Sequence, residues 1–535
     1  MKTTKTTILA AAATALMATS CNEYLDRLPD DRAEVDTELD VSNLLVAAYA
    51  THNAAFLLEM SGDNVCDNGK EYTAQPNQEA MYRWEDVETE GNDDPRSIWN
   101  SLYYSVAHAN QALYNIAEMG SPESLSGQKA EALLCRAYGM LSLANVFCMA
   151  YNPETAQQDL GLPYPTEPET SIKGDYRRGT MAELYANIDA DIEEALPLLN
   201  DAHLSVPKYH FNTNAAYALA ARFNLYYHRY DKAADYATKA LGASPADMLR
   251  TAADYPSLSG PQDIGNAYIQ SKLNCNLMLQ TAYSISGRAF ASSSSYKRFN
   301  HGRPIITYET MWVGCPWGSG SSDNTLYYSH KAYGSNQCVY FPKMMEMFEY
   351  KDKLAGTGYA HTVTASFTAD ETLLVRAEAN ALRKNYAAAL ADMNLWQNAM
   401  CAPRAGSAVR AELTEESVNG FVEKLPYAVV APASDKERSL RKTLNPQGFA
   451  VERGTQENLL QLILHMRRIE TLYYGLRFQD IKRYGIEFTH DIDGEDNITF
   501  KAGDPRGAIQ LPTDVIEAGL EANPREAKAA EAQTN

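Results

Sequence analysis

Apolar residues at helical spacing recur in pairs of segments along most of the chain, and this pattern constrains the fold more than any other feature. In one such segment Ile188, Ile192 and Leu199 fall on one face, because residues three or four apart in a helix share a side. The chain of 535 residues is therefore predicted to be mostly α, with helix pairs near 43–119, 124–199, 213–241 and 370–400.

The third pair has the pattern of a tetratricopeptide repeat. A tyrosine, Tyr230, stands at the predicted turn, and small residues follow it at Ala233, Ala237 and Ala240. Small residues let two antiparallel helices approach closely, and the tyrosine fills the space at their turn. Four such pairs predict a helical-repeat scaffold, an architecture that typically presents a surface to a partner.

Three long segments interrupt the helix pairs, at 61–94, 252–342 and 404–455. The middle one is rich in serine, glycine, tyrosine and asparagine. Loops of this length inside a compact protein are usually functional or disordered, and the many aromatic residues argue against disorder. We therefore expect functional loops inserted into a single domain, 41–522, which is followed by a frayed tail at 523–535.

The N-terminus resembles a bacterial lipoprotein signal peptide, 1–20. Lys2 and Lys5 precede an apolar stretch at 8–17, and small residues stand immediately before Cys21. The apolar stretch is too short to span a membrane, which takes about 20 residues, so cleavage before Cys21 is expected. Acyl chains such as palmitate would then anchor Cys21 in a membrane, with 21–40 as a lipidated tether. Secretion without a lipid anchor is the alternative.

Composition excludes some classes of partner. Lys and Arg total 47 against 68 Asp and Glu, a formal net charge of -21, whereas nucleic-acid binding needs clustered basic residues. The 8 cysteines show no C-x-x-C spacing, and without Cys21 their number is odd. We expect the remaining cysteines to be buried in a fold that does not depend on disulfides.

Catalytic motifs are absent from the sequence. It contains no nucleophile elbow, no Walker loop and no HExxH, and its 10 histidines show no metal-ligand spacing. A charged C-terminal motif would form an acid–base cluster if its side chains lined a cleft: Arg467, Arg468, Glu470, Arg477, Asp480 and Arg483. The same segment carries an apolar stripe, so structural ion pairing is the favoured interpretation. The chain is predicted not to be an enzyme and to need no cofactor or metal.

Six segments carry a family resemblance. They are CNEYLDRLPDD (21–31), KAEALLCRAYGML (129–141), RGTMAELYANIDADIEEALPLL (178–199), LLVRAEANALRKNYAAALADMN (373–394), MRRIETLYYGLRFQDIKRYG (466–485) and IQLPTDVIEAGLEANP (509–524). They are similar to elements of the SusD/RagB-like outer-membrane lipoproteins of Bacteroidetes, and the similarity covers nearly the whole chain.

The resemblance implies both a function and a setting. Members of this family sit on a SusC-like TonB-dependent transporter and capture nutrients for it. For this chain it implies a SusD-like fold, a lipid anchor in the outer membrane facing the cell exterior, and an oligosaccharide as ligand. A peptide ligand is the alternative within the family. A tetratricopeptide-type adaptor that binds only protein is the alternative from another class.

The resemblance also places the ligand on loops carried by the repeats, where aromatic rings stack on a sugar or peptide plane. The rings expected there are Tyr82 and Trp84 in the first long segment and Tyr308, Trp312, Trp317, Tyr327 and Tyr328 in the middle one. The polar side chains expected beside them are Asp63, Asn64, Arg83, Asn92, Arg303 and Asn324. Ordinary packing is the alternative for each ring. Trp99 and Trp396 lie within helical patterns and are expected in the core.

Overall fold

The computed structural model of the chain describes residues 35, 37–168, 176–291, 297–335, 338–403 and 410–526. The predicted signal peptide, the predicted lipidation site Cys21 and most of the predicted tether lie outside these residues, as do residues 527–535 of the predicted tail. In the described ranges, no helix has both the length and the apolar character that crossing a membrane requires.

Helices dominate the described chain, as the sequence predicts. They are α1 (Glu38–Val46), α2 (Ala55–Ser61), α3 (Gln78–Tyr82), α4 (Pro95–Glu118), α5 (Ser126–Phe147), α6 (Met181–Ala195), α7 (Thr213–Tyr226), α8 (Tyr230–Leu241), α9 (Pro245–Met248), α10 (Pro261–Tyr268), α11 (Ser286–Phe290), α12 (Arg303–Tyr308), α13 (Gly320–Asp323), α14 (Ala369–Leu382), α15 (Tyr386–Met400), α16 (Glu415–Val422), α17 (Thr455–Glu470), α18 (Leu476–Tyr484) and α19 (Thr513–Glu517).

Small antiparallel sheets complete the fold. Their strands are β1 (Cys66–Asp67), β2 (Asn276–Tyr283), β3 (Phe299–Asn300), β4 (Tyr333–Ser335), β5 (Cys338–Tyr340), β6 (Met347–Asp352), β7 (Thr357–Thr368), β8 (Phe488–His490) and β9 (Ile498–Phe500). β1 pairs with β3, β4 with β5 and β8 with β9, and a three-stranded sheet has the order β2-β7-β6.

The four predicted helix pairs form the scaffold. α1 packs on α4 and α5, α5 on α6, α7 on α8, and α14 on α15. α8 also packs on α14, which joins the third pair to the fourth. Ala233 and Ala237 are fully buried on α8, and small side chains at such positions let α8 approach α7 closely. The mostly α architecture expected from the sequence is therefore confirmed.

The first predicted pair, 43–119, does not begin with one continuous helix, because the chain between α1 and α2 makes other hydrogen bonds. The backbone N–H groups of Thr51 and His52 donate to Ser101 Oγ on α4, at 2.9 and 3.0 Å. Asn53 Oδ1 accepts from Ala55 N at 3.1 Å, which satisfies a donor at the start of α2. α1 itself begins at Glu38, inside the predicted tether 21–40.

The middle segment, 252–342, is not the continuous loop that its composition suggests. It contains α10 to α13 and β2 to β5. β2 pairs with β7 in the register Gln280↔Thr364 and Thr281↔Val363. Gln280 and Thr364 are 84 residues apart, so no local spacing in the sequence indicates the sheet. The strand that pairs with β2 and orders the segment, β7, lies outside it.

The C-terminal boundary also differs from the expected one at 522. Asn523 is buried, and its side-chain Nδ2 donates to the carbonyl of Phe147 on α5 at 2.9 Å. Arg178 Nη1 donates to Asn523 Oδ1 at 2.8 Å. The chain around 523–526 therefore packs on the scaffold instead of fraying from it.

The charged C-terminal motif lies inside the protein. Arg467 on α17 is fully buried and approaches Glu371 and Glu378 of α14 and Asp480 of α18, at 3.5, 3.2 and 3.1 Å. Arg483 on α18 reaches Glu378 at 2.9 Å and Asp480 at 2.7 Å. A buried charge is tolerated when it is paired and hydrogen-bonded. The motif is thus structural, as the sequence interpretation favours.

The next residue, Arg468, belongs to a second buried cluster. Its guanidinium lies 3.3 Å from Asp63 of the first long segment and 3.0 Å from Glu309 of the middle segment. Arg477 pairs with Asp63 at 2.8 Å. Burial alone would raise the pKa of the Asp63 carboxyl, but Arg468 and Arg477 overcome it and hold that pKa well below its usual range. The two long segments are therefore fixed to α17 by ion pairs.

Replacing Arg467 tests how far the scaffold depends on the first cluster. Arg467→Met leaves Glu378 and Asp480 buried with one cation fewer, and we expect the free energy of unfolding to fall by about 3–5 kcal/mol. Arg383→Met is the matched control, because its partner Asp231 is mostly exposed in an ion pair of 2.6 Å, and it is expected to cost less than about 1 kcal/mol. Urea unfolding followed by circular dichroism measures the free energy of unfolding of both variants. Equal losses of stability would contradict the structural role of the Arg467 cluster.

Candidate ligand-binding surface

The fold brings the first and middle long segments together. β1 and β3 pair through Cys66↔Asn300 and Asp67↔Phe299. Arg298 Nη2 lies 2.9 Å from Asp67, and its Nη1 lies 2.8 Å from Glu79. The two segments predicted to share a ligand are therefore joined directly, although they are more than two hundred residues apart in sequence.

Three of the predicted polar residues are buried and serve as structural supports. Asn64 Oδ1 accepts from Arg468 Nε at 2.8 Å, and Asn64 Nδ2 donates to Glu59 Oε1 at 2.9 Å. Asp63 is occupied by the arginines of the second buried cluster. Asn324 Nδ2 donates to the Met311 carbonyl at 2.6 Å, and its Oδ1 accepts from Leu326 N at 2.8 Å. These three buried side chains therefore hold the loops in place from inside the protein.

The ring faces of Tyr82 and Trp84 stack on a histidine. Both are buried, and His490 is sandwiched between them with centroid distances of 3.8 and 4.4 Å and interplanar angles of 7° and 3°. Trp84 Nε1 donates to the carbonyl of Ser61 at 3.1 Å. For these two rings the structure favours the packing alternative, because His490, about four hundred residues away, occupies the faces that a sugar would need.

Trp317 and Tyr328 are also in the core. Trp317 lies 5.5 Å from the ring of Trp396 and 6.1 Å from that of His465. Tyr328 is 2% exposed and packs on Phe341 at 5.0 Å. Neither ring offers an open face, so packing is again the favoured role. Trp99 and Trp396, expected in the core, are both buried.

The remaining predicted rings of the middle segment reach the protein surface. Together with one arginine they are called the Trp312 surface, which consists of Arg303, Tyr308, Trp312 and Tyr327. Arg303 is exposed at the start of α12, and the three rings are half-buried. The Arg303 guanidinium lies 5.7 Å from the centroid of the Trp312 ring. Trp312 Nε1 donates to the Ser329 carbonyl at 3.0 Å, which fixes the indole edge while part of the ring stays accessible.

The last two predicted residues lie apart from that surface. Arg83 pairs with Glu79 at 2.8 Å and with Glu495, beyond β8, at 2.7 Å. Asn92 is half-buried, and its side chain hydrogen-bonds His52, whose pKa is lowered by burial. Arg83 therefore joins two loops, and Asn92 stands beside the break between α1 and α2.

A cavity that the sequence did not indicate lies behind that break. It measures about 110 Å³, and residues of α2, α5, β2, β7 and the C-terminal end of α17 line it. A smaller one of about 30 Å³ lies near Glu309 and Arg438. No predicted ring is among the described residues that line the larger cavity. Its walls come from segments scattered along the chain, so no motif or spacing could have revealed it.

Metal binding finds no support in the described residues. In those ranges, no group of three or more His, Cys, Asp or Glu side chains is placed to hold a metal ion. The seven cysteines that the structure describes are not bonded to one another. Around Trp312 the described side chains are partly accessible aromatic rings and an exposed arginine, Arg303.

A comparison with protein-family models finds one match. A family model described as "SusD-like_3: Starch-binding associating with outer membrane" matches residues 23–225. No curated protein sequence is similar enough to count as a match. The sequence resemblance to SusD-like proteins is therefore confirmed for this part of the chain.

Solved structures extend the match to nearly the whole fold. A SusD superfamily protein from Bacteroides thetaiotaomicron VPI-5482 is similar at 19% identity and a TM-score of 0.60, over 91% of this chain and 98% of that one. A putative sugar binding protein from Bacteroides vulgatus ATCC 8482 is similar at 17% identity and a TM-score of 0.63, over 92% and 99%. At these identities the likeness shows the fold, which is the SusD fold.

Truncating Trp84 and Trp312 separately tests the division between packing and surface rings. Trp84→Ala removes a buried ring and its stack on His490, and the free energy of unfolding should fall by about 3–5 kcal/mol. Trp312→Ala removes a half-buried ring and should cost about 1–2 kcal/mol. Urea denaturation of both variants gives the comparison. A small loss for Trp84→Ala would mean that its ring is not part of the core.

Proposed function

We propose that this chain is a carbohydrate-binding protein of the cell surface, which captures an oligosaccharide and delivers it to a SusC-like TonB-dependent transporter of the outer membrane. The match to a family described as starch-binding and associated with the outer membrane supports both the ligand class and the setting. A similar structure described as a putative sugar binding protein supports the ligand class. The observation that carries the proposal is the Trp312 surface.

The Trp312 surface has the chemistry that a sugar requires. A sugar ring presents C–H groups on its faces, which stack on aromatic rings, and hydroxyls on its edge, which bind to polar groups. Trp312, Tyr308 and Tyr327 supply partly open rings, and Arg303 supplies N–H donors next to Trp312. A few such contacts give modest affinity, which suits a protein that must release its ligand to a transporter.

The proposed anchor, Cys21, is followed by the predicted tether 21–40, and α1 begins at Glu38, inside that range. Acyl chains on Cys21 would keep the protein at the outer membrane, in which the proposed transporter lies.

The glycan prediction is tested by isothermal titration calorimetry of the purified chain with a panel of oligosaccharides that begins with starch fragments. Trp312→Ala should weaken binding at least about tenfold, because it removes a stacking face and the partner of Arg303. Tyr104→Ala is the matched control, since Tyr104 is 61% exposed on α4, outside the surface, and it should leave the affinity unchanged.

The panel also separates the alternatives. If no oligosaccharide gives heat, the glycan proposal fails. If mixed peptides give binding heat instead, and the Trp312→Ala variant loses that heat, the ligand is a peptide. If neither oligosaccharides nor peptides bind but a protein partner is captured, the adaptor alternative is favoured.

The anchor is tested by Cys21→Ala in cells. Without the acylated cysteine, the protein should leave the membrane fraction and appear in the medium or periplasm, because a membrane-anchoring acyl group is lost. The oligosaccharide affinity of the purified variant should equal that of the wild type. Membrane retention of the variant would overturn the lipoprotein assignment.

A further inference from the structure

The hairpin formed by β6 and β7 extends past the three-stranded sheet as a ribbon of two strands, which we call the β6–β7 ribbon, residues 347–361. β2 pairs with β7 only from His361 onward, whereas β6 and β7 stay paired as far as Asp352↔Thr357. At about 3.4 Å per residue, the ribbon reaches about 15 Å past the end of β2. Every residue from 348 to 357 is exposed.

The exposed part of the ribbon carries large apolar side chains. Leu354 lies in the turn and is fully exposed, and Phe348, Tyr350 and Tyr359 are each exposed by about half. The rings of Phe348 and Tyr350 contact each other, with their centroids 4.9 Å apart. Single exposed apolar residues are common on protein surfaces, but a contiguous group of them marks a site of interaction.

The shape of this apolar group indicates what kind of partner fits it. Alternate residues of a strand share a face, so Phe348 and Tyr350 lie on one face, whereas Tyr359, opposite Glu349 in the register, lies on the other. Leu354 closes the end of the ribbon. A protein partner typically covers one side of a surface, with about 800 Å² buried. An apolar tip that is open on both faces fits a medium that can surround it, such as the interface of a lipid bilayer.

Hydrogen bonds within the turn hold the tip in one conformation. Asp352 Oδ1 accepts from Leu354 N at 2.8 Å and from Ala355 N at 3.0 Å. Gly356 has a φ of +66°, a left-handed conformation that glycine adopts without strain. A tip that is already ordered loses little further conformational freedom when it binds.

The charge of the ribbon also suits a membrane surface. The whole chain has a formal net charge of -21, but within the ribbon Glu349 and Asp352 are matched by Lys351 and Lys353. Both lysines are exposed, and their long side chains can place ammonium groups beside lipid phosphates. The Debye length is about 8 Å at physiological ionic strength, so the tip approaches an interface with little repulsion from the acidic body.

We propose that the β6–β7 ribbon is a lipid-contacting element whose tip inserts into the headgroup region of a bilayer. The rings of Phe348, Tyr350 and Tyr359 lie at the interface, where aromatic side chains are favoured. Leu354 points toward the acyl chains. A lipid surface is available in the setting proposed above, and in this respect the inference rests on the proposed function.

The contact is weak by itself. A single myristoyl chain binds membranes reversibly, with an association constant of about 10⁴ M⁻¹, and a few partly inserted side chains bind less tightly. Such a contact does not retain a free protein on a membrane, but it fixes the orientation of a body that is already anchored. The Cys21→Ala protein is therefore still expected in the medium or periplasm.

The test is sedimentation with vesicles of dioleoylphosphatidylcholine, using the chain from residue 22, which is the expected mature form without its lipidated cysteine. The chain should sediment with the vesicles in proportion to the lipid added. Tyr350→Ser and Leu354→Ser should each weaken this binding about tenfold. Tyr104→Ser is the matched control, because Tyr104 is 61% exposed on α4 and Tyr350 is 54% exposed, and it should bind as wild type does.

Folding of the variants is checked by circular dichroism, and their unfolding midpoints should equal that of the wild type because the replaced side chains are exposed. If the chain does not sediment with the vesicles, or if both Tyr350→Ser and Leu354→Ser sediment as wild type does, the inference is overturned.

Two other results would assign the ribbon to a protein and overturn the inference. One is a dimer in solution that Leu354→Ser dissociates, without vesicle binding. The other is binding to a purified SusC-like transporter that Leu354→Ser weakens, again without vesicle binding. Oligosaccharide binding that depends on Trp312 and retention that depends on Cys21 are measured separately, and both would survive these results.

Discussion

Two neighbouring arginines on α17 hold the scaffold and the long segments to each other. Successive residues of a helix point about 100° apart, so Arg467 and Arg468 face different parts of the protein. Arg467 binds carboxylates of α14 and α18, whereas Arg468 binds Asp63 and Glu309 of the two long segments. Burying charges is costly unless each is paired. The Arg468 cluster therefore forms only when both long segments are assembled on α17, whereas the Arg467 cluster joins helices of the scaffold.

This arrangement explains how long loops can present a defined surface. Glu309 directly follows α12, and its carboxylate is bound by Arg468 at 3.0 Å and Lys442 at 2.6 Å. Both cations outweigh burial and lower the pKa of Glu309 to about 2, so the anchor stays charged at neutral pH. Trp312 stands three residues further along the chain. A ring held on an anchored loop loses less conformational freedom when it binds a ligand, which favours affinity without additional contacts.

The sequence predicted what depends on local patterns and missed what depends on distant partners. Helix pairs follow from apolar spacing, and the apolar stripe that accompanies the charged motif at 466–485 indicates that the motif is structural. The β2–β7 pairing, the ring sandwich around His490 and the cavity at Gln280 depend on residues far apart in the chain. The family resemblance places Tyr82 and Trp84 among the ligand-binding rings, but no local pattern shows that His490 occupies their faces.

The central claim is that the ligand sits on loops fixed by Arg468, and not on the helix pairs. Hydrogen–deuterium exchange of the purified chain, with and without a saturating oligosaccharide, tests it most directly. The account predicts that added protection concentrates in peptides covering 303–331, with little change in α7, α8 and α15. Protection confined to those helices, with the 303–331 peptides unchanged, would contradict it.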